Sequence, residues 1–169
     1  MKALLVIDVQ KAMIEGDSPV FQSDLVLRNI KHLIDQARKE HILIIYVQHN
    51  EDGSEFENGS RTWEIVDDIK PHKKDPIVQK RRPDSFKNTT LKSILDEHHV
   101  DELIIVGMQT EFCVNATSLK AVELGYQVSV VSDAHTTFNG KLSAEKIITQ
   151  HHKKWSKVLK LVTSSEVSF

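Results

Sequence analysis

The chain has 169 residues, 40% hydrophobic and 27% charged, with 6 Gly and 4 Pro, proportions that suit a single globular domain over residues 1–169. Its 22 Lys and Arg face 24 Asp and Glu, a formal charge of −2, so no general positive field would draw it to nucleic acid or to an anionic membrane. Its one cysteine, Cys113, closes no intramolecular disulfide; a small disulfide-stapled scaffold is excluded and the thiol needs another explanation.

No internal repeat, low-complexity tract or Gly/Ser linker divides the chain. The first apolar run, Ala3 to Val9, is interrupted by Asp8, too early for a leader's hydrophobic core or a membrane span, and a cytoplasmic protein is expected. Helical spacing follows at Val26, Leu27, Ile30, Leu33, Ile34 and Ala37, with Ser23 as the prospective N-cap. A second run, Ile42 to Val47, leads into the polar stretch Asn50 to Arg61, where Asp52-Gly53 and Asn58-Gly59 predict a surface loop beside a pocket. Ile77 to Lys80, after Pro76, predicts a short strand, and Thr89 to His98 a helix. Strands at Leu103 to Val106, Gln127 to Val131 and Val158 to Val162 then alternate with helices at Val114 to Leu124, stopped by Gly125, and Ser143 to Trp155.

The main runs lack strict alternation and read as strands buried on both faces. Parallel strands need crossovers, so the pattern predicts an α/β fold: a three-layer α/β/α sandwich around a mainly parallel sheet of five to six strands. In such sheets the ligand crevice lies beyond the carboxyl ends of the strands. Those ends carry Asp8 and Gln10, then Gln48-His49, then Lys80-Arg81-Arg82, then Gly107 through Cys113.

A buried Asp8 needs a partner, because an unpaired carboxylate in an apolar sheet costs several kcal/mol. Lys80 alone reads as a solvated charge, and Cys113 alone as a small core residue or as a thiol whose thiolate the following helix N-terminus favours. Together they form the parts of nucleophilic catalysis: a thiol, a base for its proton, a supporting cation and nearby N–H donors for an oxyanion.

Four blocks in this order resemble the isochorismatase-like cysteine hydrolases, relatives of nicotinamidase and N-carbamoylsarcosine amidase. They are Leu5-Val6-Ile7-Asp8-Val9-Gln10; Gln79-Lys80 with Ser85-Phe86 and Thr90-Leu91; Val106 through Val114; and Val131-Ser132-Asp133-Ala134. The resemblance implies an Asp8, Lys80, Cys113 triad. Cys113 attacks an amide carbonyl, Asp8 carries the proton to the leaving amine, and water cleaves the thioester. It also implies a cis peptide at Met108-Gln109, aiming the N–H groups of Gln109 and Cys113 at the oxyanion, and a homodimer or larger assembly. Nicotinamidases hold a metal with an Asp-x-His pair and further histidines; here that region reads Gln48-His49-Asn50-Glu51-Asp52, so no metal and no cofactor are expected, and His49 reads as a hydrogen-bonding or solvent-facing group. Siderophore-pathway isochorismatases do without the cysteine, so Cys113 favours C–N hydrolysis of a small amide, carbamoyl or lactam-like substrate.

Substrate contacts are sought among Gln10, Phe21, Trp63, Thr110, Phe112 and Phe138, the aromatics as an apolar wall and the polar pair by proximity to the triad. His135 could approach the site or serve a loop hydrogen bond, whereas His98-His99 and His151-His152 read as solvated residues near helix ends. The Lys153 to Lys160 stripe reads as a solvated face. Two other readings compete: a non-catalytic small-molecule-binding or thiol redox-sensing protein on the same fold, and interaction through an exposed apolar tail, Val158 to Phe169.

Overall fold

The computed structural model describes all 169 residues. Six parallel strands form one sheet: β1 (Lys2–Ile7), β2 (Leu43–His49), β3 (Ile77–Lys80), β4 (Glu102–Met108), β5 (Gln127–Thr136) and β6 (Lys160–Val162), in the spatial order β3-β2-β1-β4-β5-β6. The helices are α1 (Lys11–Ile14), α2 (Ser23–Lys39), α3 (Leu91–Glu97), α4 (Asn115–Glu123) and α5 (Ala144–Trp155). No helix is long and apolar enough to cross a membrane.

The alternating side chains of each strand feed two cores. Leu4 and Val6 of β1, with Ile104, Val106 and Met108 of β4, join Ile30, Leu33 and Ile34 of α2 on one face. Ala3, Leu5 and Ile7, with Leu103 and Ile105, join Leu91, Leu95, Ala121 and Trp155 from α3, α4 and α5 on the other. Both faces are thus covered, which is why the strands read as continuous apolar runs. Truncating a wholly buried residue such as Leu5 would cost about 2–5 kcal/mol.

The chain builds outward from β1 to β3, crosses back, and builds from β4 to β6. The β1–β4 junction is therefore the topological switch point, where a crevice opens at the strands' carboxyl ends. Gly107 lets the two strands meet there. It pairs with Ile7, has φ 124°, and a Cβ on it would lie 2.0 Å from Ile7 O.

Several boundaries differ from the sequence reading. β1 ends at Ile7, because Asp8 turns out of the strand. β5 runs on to Thr136 through a bulge: Ile105 pairs with Val130, but Gly107 with His135. Ser23 is the first residue of α2, and the cap position falls on Gln22, whose side chain makes no cap bond. The apolar tail is not free: Leu159, Leu161, Val162, Val167 and Phe169 pack on the two cores, leaving Val158 at 53% exposure.

Candidate active site

Asp8 leaves β1 in the left-handed region (φ 51°), which Asp tolerates better than most residues, and its N–H donates to Val47 O of β2 at 2.9 Å. Its side chain is wholly buried. Lys80 closes β3, two strands away, and its equally buried side chain reaches past the end of β2 to bring Nζ within 2.7 Å of Asp8 Oδ2. The contact is an ion pair without hydrogen-bond alignment at the carboxylate, and Oδ1 accepts no hydrogen bond from the protein. Lys80 Nζ also donates to Cys113 Sγ at 3.2 Å and stands 3.5 Å from His49 Nδ1. Burial works against the ammonium, but Asp8 and Cys113 outweigh it and raise the lysine's pKa.

Cys113 sits in a π-helical turn, Thr110–Val114, that runs directly into α4. Burial first, and then the Asp8 carboxylate, push its thiol up to about 12 against the opposing pull of Lys80. This corrects the expectation of a thiolate held by the helix N-terminus. That dipole contributes roughly 0.3–1 kcal/mol, less than one pKa unit, and cannot offset desolvation beside an anion. The resting arrangement is a neutral thiol against an Asp8–Lys80 ion pair. The Met108-Gln109 peptide is cis, and the Gln109 N–H donates to no protein acceptor.

The six substrate-contact candidates do not form one wall. Gln10 is buried and spent on the scaffold: Nε2 donates to His49 O (3.1 Å) and Trp63 O (2.8 Å), and Oε1 accepts from His49 N (2.9 Å). Thr110 is buried with its hydroxyl 2.9 Å from His135 Nδ1. Trp63 Nε1 donates to Asn50 Oδ1 at 2.8 Å, tying the 50–61 loop to the end of β2. Phe21 lines a separate groove beside His135 and His152, Phe138 packs on the α2-side core, and Phe112 is 54% exposed.

Two histidines sharpen the sequence reading. Of the two roles read for His49, hydrogen-bonding and solvent-facing, the structure shows the first: it stands edge-on to Phe56 with Nδ1 3.5 Å from Lys80 Nζ, and burial together with that ammonium lowers its pKa. His135 is buried, its Nε2 2.8 Å from His152 Nε2, so His152 is a buried-network partner and not a solvated helix end. The His49↔Lys80 register is the signal that was available: both residues close neighbouring strands. No group of three or more His, Cys, Asp or Glu side chains is placed to hold a metal ion.

Comparison with known proteins agrees with this fold. The isochorismatase domain model matches residues 2–160. The chain belongs to the isochorismatase family of hydrolases. It is 34% identical over 140 residues to streptothricin hydrolase of Streptomyces noursei, covering 82% of this chain and 56% of that protein. It is 32% identical over 154 residues to the uncharacterized isochorismatase family protein YddQ of Bacillus subtilis, covering 89% and 85%. A solved isochorismatase family protein superposes with a TM-score of 0.90 at 32% identity, over 96% of this chain and 98% of the other. The chain spans about half the length of the streptothricin hydrolases it matches.

Proposed function

We propose that this protein is a cysteine hydrolase that cleaves a C–N bond of a small amide, carbamoyl or lactam-like substrate through a thioester on Cys113, without a metal or cofactor. The observation that carries the reading is the buried cluster in which Lys80 Nζ is 2.7 Å from Asp8 and 3.2 Å from Cys113 Sγ. Similarity to a protein named streptothricin hydrolase supports the hydrolytic reading.

A thiol pushed up to about 12 is not a nucleophile at rest, so the proton must leave as attack begins. Sγ bonds to the substrate carbonyl carbon while its proton passes to the unpartnered Asp8 Oδ1. The carbonyl electrons become an oxyanion, held by the N–H groups of Gln109 and Cys113. Collapse breaks the C–N bond, and the amine departs with the proton from Asp8. Water, giving its proton to Asp8, attacks the thioester; the acid leaves and Cys113 regains its proton. Lys80 remains an ammonium throughout, stabilising each negative charge that appears.

A redox-sensing thiol is most reactive when exposed and of low pKa, whereas Cys113 is half-buried and its thiol is pushed up. The Asp8–Lys80 pair set against the thiol, which an oxidisable cysteine does not need, favours the hydrolase. A panel of small amides, ureido compounds and lactams, assayed for released ammonia or amine, tests the reading. Hydrolysis that disappears in Cys113→Ala is expected; hydrolysis that persists in that variant overturns it. A homo-oligomer belongs to the same proposal, and light scattering that finds only a 19.3 kDa species would remove that part.

A further inference from the structure

One cleft beside the triad has no role in the chemistry above. It encloses about 530 Å³ at the ends of β2 and β3. Its floor is formed by its two buried lining residues, Asn50 and Lys80, and its exposed rim includes Arg81, Arg82, Lys87 and Asn88. No apolar side chain and no carboxylate lines it. A hydrophobic or cationic ligand would find nothing complementary there.

The charges within it are unequal. Arg81 is satisfied by a two-pronged bond to Asp52, both contacts 3.0 Å, and the Lys80 ammonium by Asp8. Arg82 and Lys87 pair with no carboxylate. Of the acids in the 50–61 loop, Glu51, Asp52, Glu55 and Glu57, none lines the cleft, and only Asp52 reaches its rim, through Arg81. A chain of net charge −2 thus has two uncompensated cations and a set of side-chain amides around one polar hollow. Lys80 stands between this hollow and the chemistry: its residue closes the floor, while its wholly buried side chain turns inward to Asp8 and Sγ.

We propose that this cleft is the subsite for an anionic group of the substrate, a carboxylate, so that the hydrolysed molecule is a small anionic amide with its acid seated between Arg82 and Lys87 and its carbonyl over Cys113. A guanidinium presents paired N–H donors that match a carboxylate, and the ammonium adds a point charge. The proposal rests on Cys113 being the nucleophile and adds where the rest of the substrate lies.

Two alkylating reagents of similar size test it: iodoacetate, an anion, and iodoacetamide, which is neutral. Their rate ratio on Cys113, read by intact mass, is compared with the ratio on 2-mercaptoethanol. The two cations are expected to make the protein favour iodoacetate several-fold over the small-thiol ratio at low ionic strength. In Arg82→Ala/Lys87→Ala most of that preference disappears, as it does in about 0.5 M salt. Lys153→Ala/Lys154→Ala, which removes the same net charge from the exposed face of α5, keeps it. An unchanged ratio in the Arg82/Lys87 variant, or an equal loss in the α5 variant, overturns the subsite. Amine release from the amide panel that persists in Cys113→Ala overturns the nucleophile instead, and with it the substrate that this cleft would serve.

Discussion

Removing the Lys80 charge puts the buried ion pair to a quantitative test. Asp8 and Lys80 side chains are both wholly inaccessible, with Oδ2 and Nζ 2.7 Å apart. At an effective dielectric of about 20, two unit charges at that distance attract by roughly 6 kcal/mol, and desolvation offsets much of this. The net value of the pair is therefore modest, but deleting one partner strands the other. Lys80→Met should cost about 3–5 kcal/mol at pH 8 by leaving a buried carboxylate without its counter-charge. Asp8→Asn alone strands the ammonium at a similar cost. In Asp8→Asn/Lys80→Met both charges are gone, and the loss should fall short of the sum by roughly 2–4 kcal/mol. Urea unfolding of the four proteins, fitted by linear extrapolation with m-values compared, gives the coupling. Losses that add to within about 0.5 kcal/mol would refute a direct, buried Asp8–Lys80 pair.

Three further outcomes follow from the same geometry. Gly107→Ala places a Cβ 2.0 Å from Ile7 O on backbone that cannot yield, so it should either abolish soluble expression or lower stability by more than about 4 kcal/mol; a melting temperature within a few degrees of wild type would contradict the β1–β4 contact. His135, pushed down to about 3 by burial and by His152 and His151, stays neutral in the fold while its unfolded counterpart binds a proton below about 6.5. This residue's contribution is therefore full above pH 6.5 and falls as pH drops towards 3, by about 2 kcal/mol between pH 7 and pH 5, and His135→Gln should remove that share of the slope in urea titrations at the two pH values, leaving the part owed to His49 and His152, whose pKa values burial also lowers. His49 supplies Lys80 with an acceptor, so His49→Gln should keep Cys113 alkylation by iodoacetamide near the wild-type rate while His49→Phe slows it several-fold; if His49 serves only to pack on Phe56, the order of the two variants reverses.

The sheet was legible because each strand is buried on both faces, and continuous Val/Ile/Leu runs report that burial directly. Asp8, Lys80 and Cys113 stood out because each closes an apolar run, or follows one closely, in a fold whose strand ends meet. The substrate wall was not legible. Whether an aromatic next to a strand end faces a pocket depends on loop conformation, and Phe21, Trp63, Phe112 and Phe138 went to four different places. The hydrogen-bonding demands of buried loops also lie outside any local pattern: Gln10 clamps the backbone of residues 49 and 63, a role that proximity to Asp8 mimicked as substrate contact. The thiol's charge state was missed for a related reason. A helix N-terminus is visible in sequence, whereas the depth of burial and the adjacent carboxylate that decide the matter are not.

The central claim is that Cys113 forms a covalent acyl intermediate. Intact-mass spectra of the protein quenched at intervals after mixing with p-nitrophenyl acetate test this most directly, because the chain has one cysteine. The account predicts a single acetyl adduct that maps to Cys113, rises and then decays as water cleaves the thioester, and is absent from Cys113→Ala. An adduct on another residue, or none at Cys113 while p-nitrophenol is still released enzymatically, would contradict it.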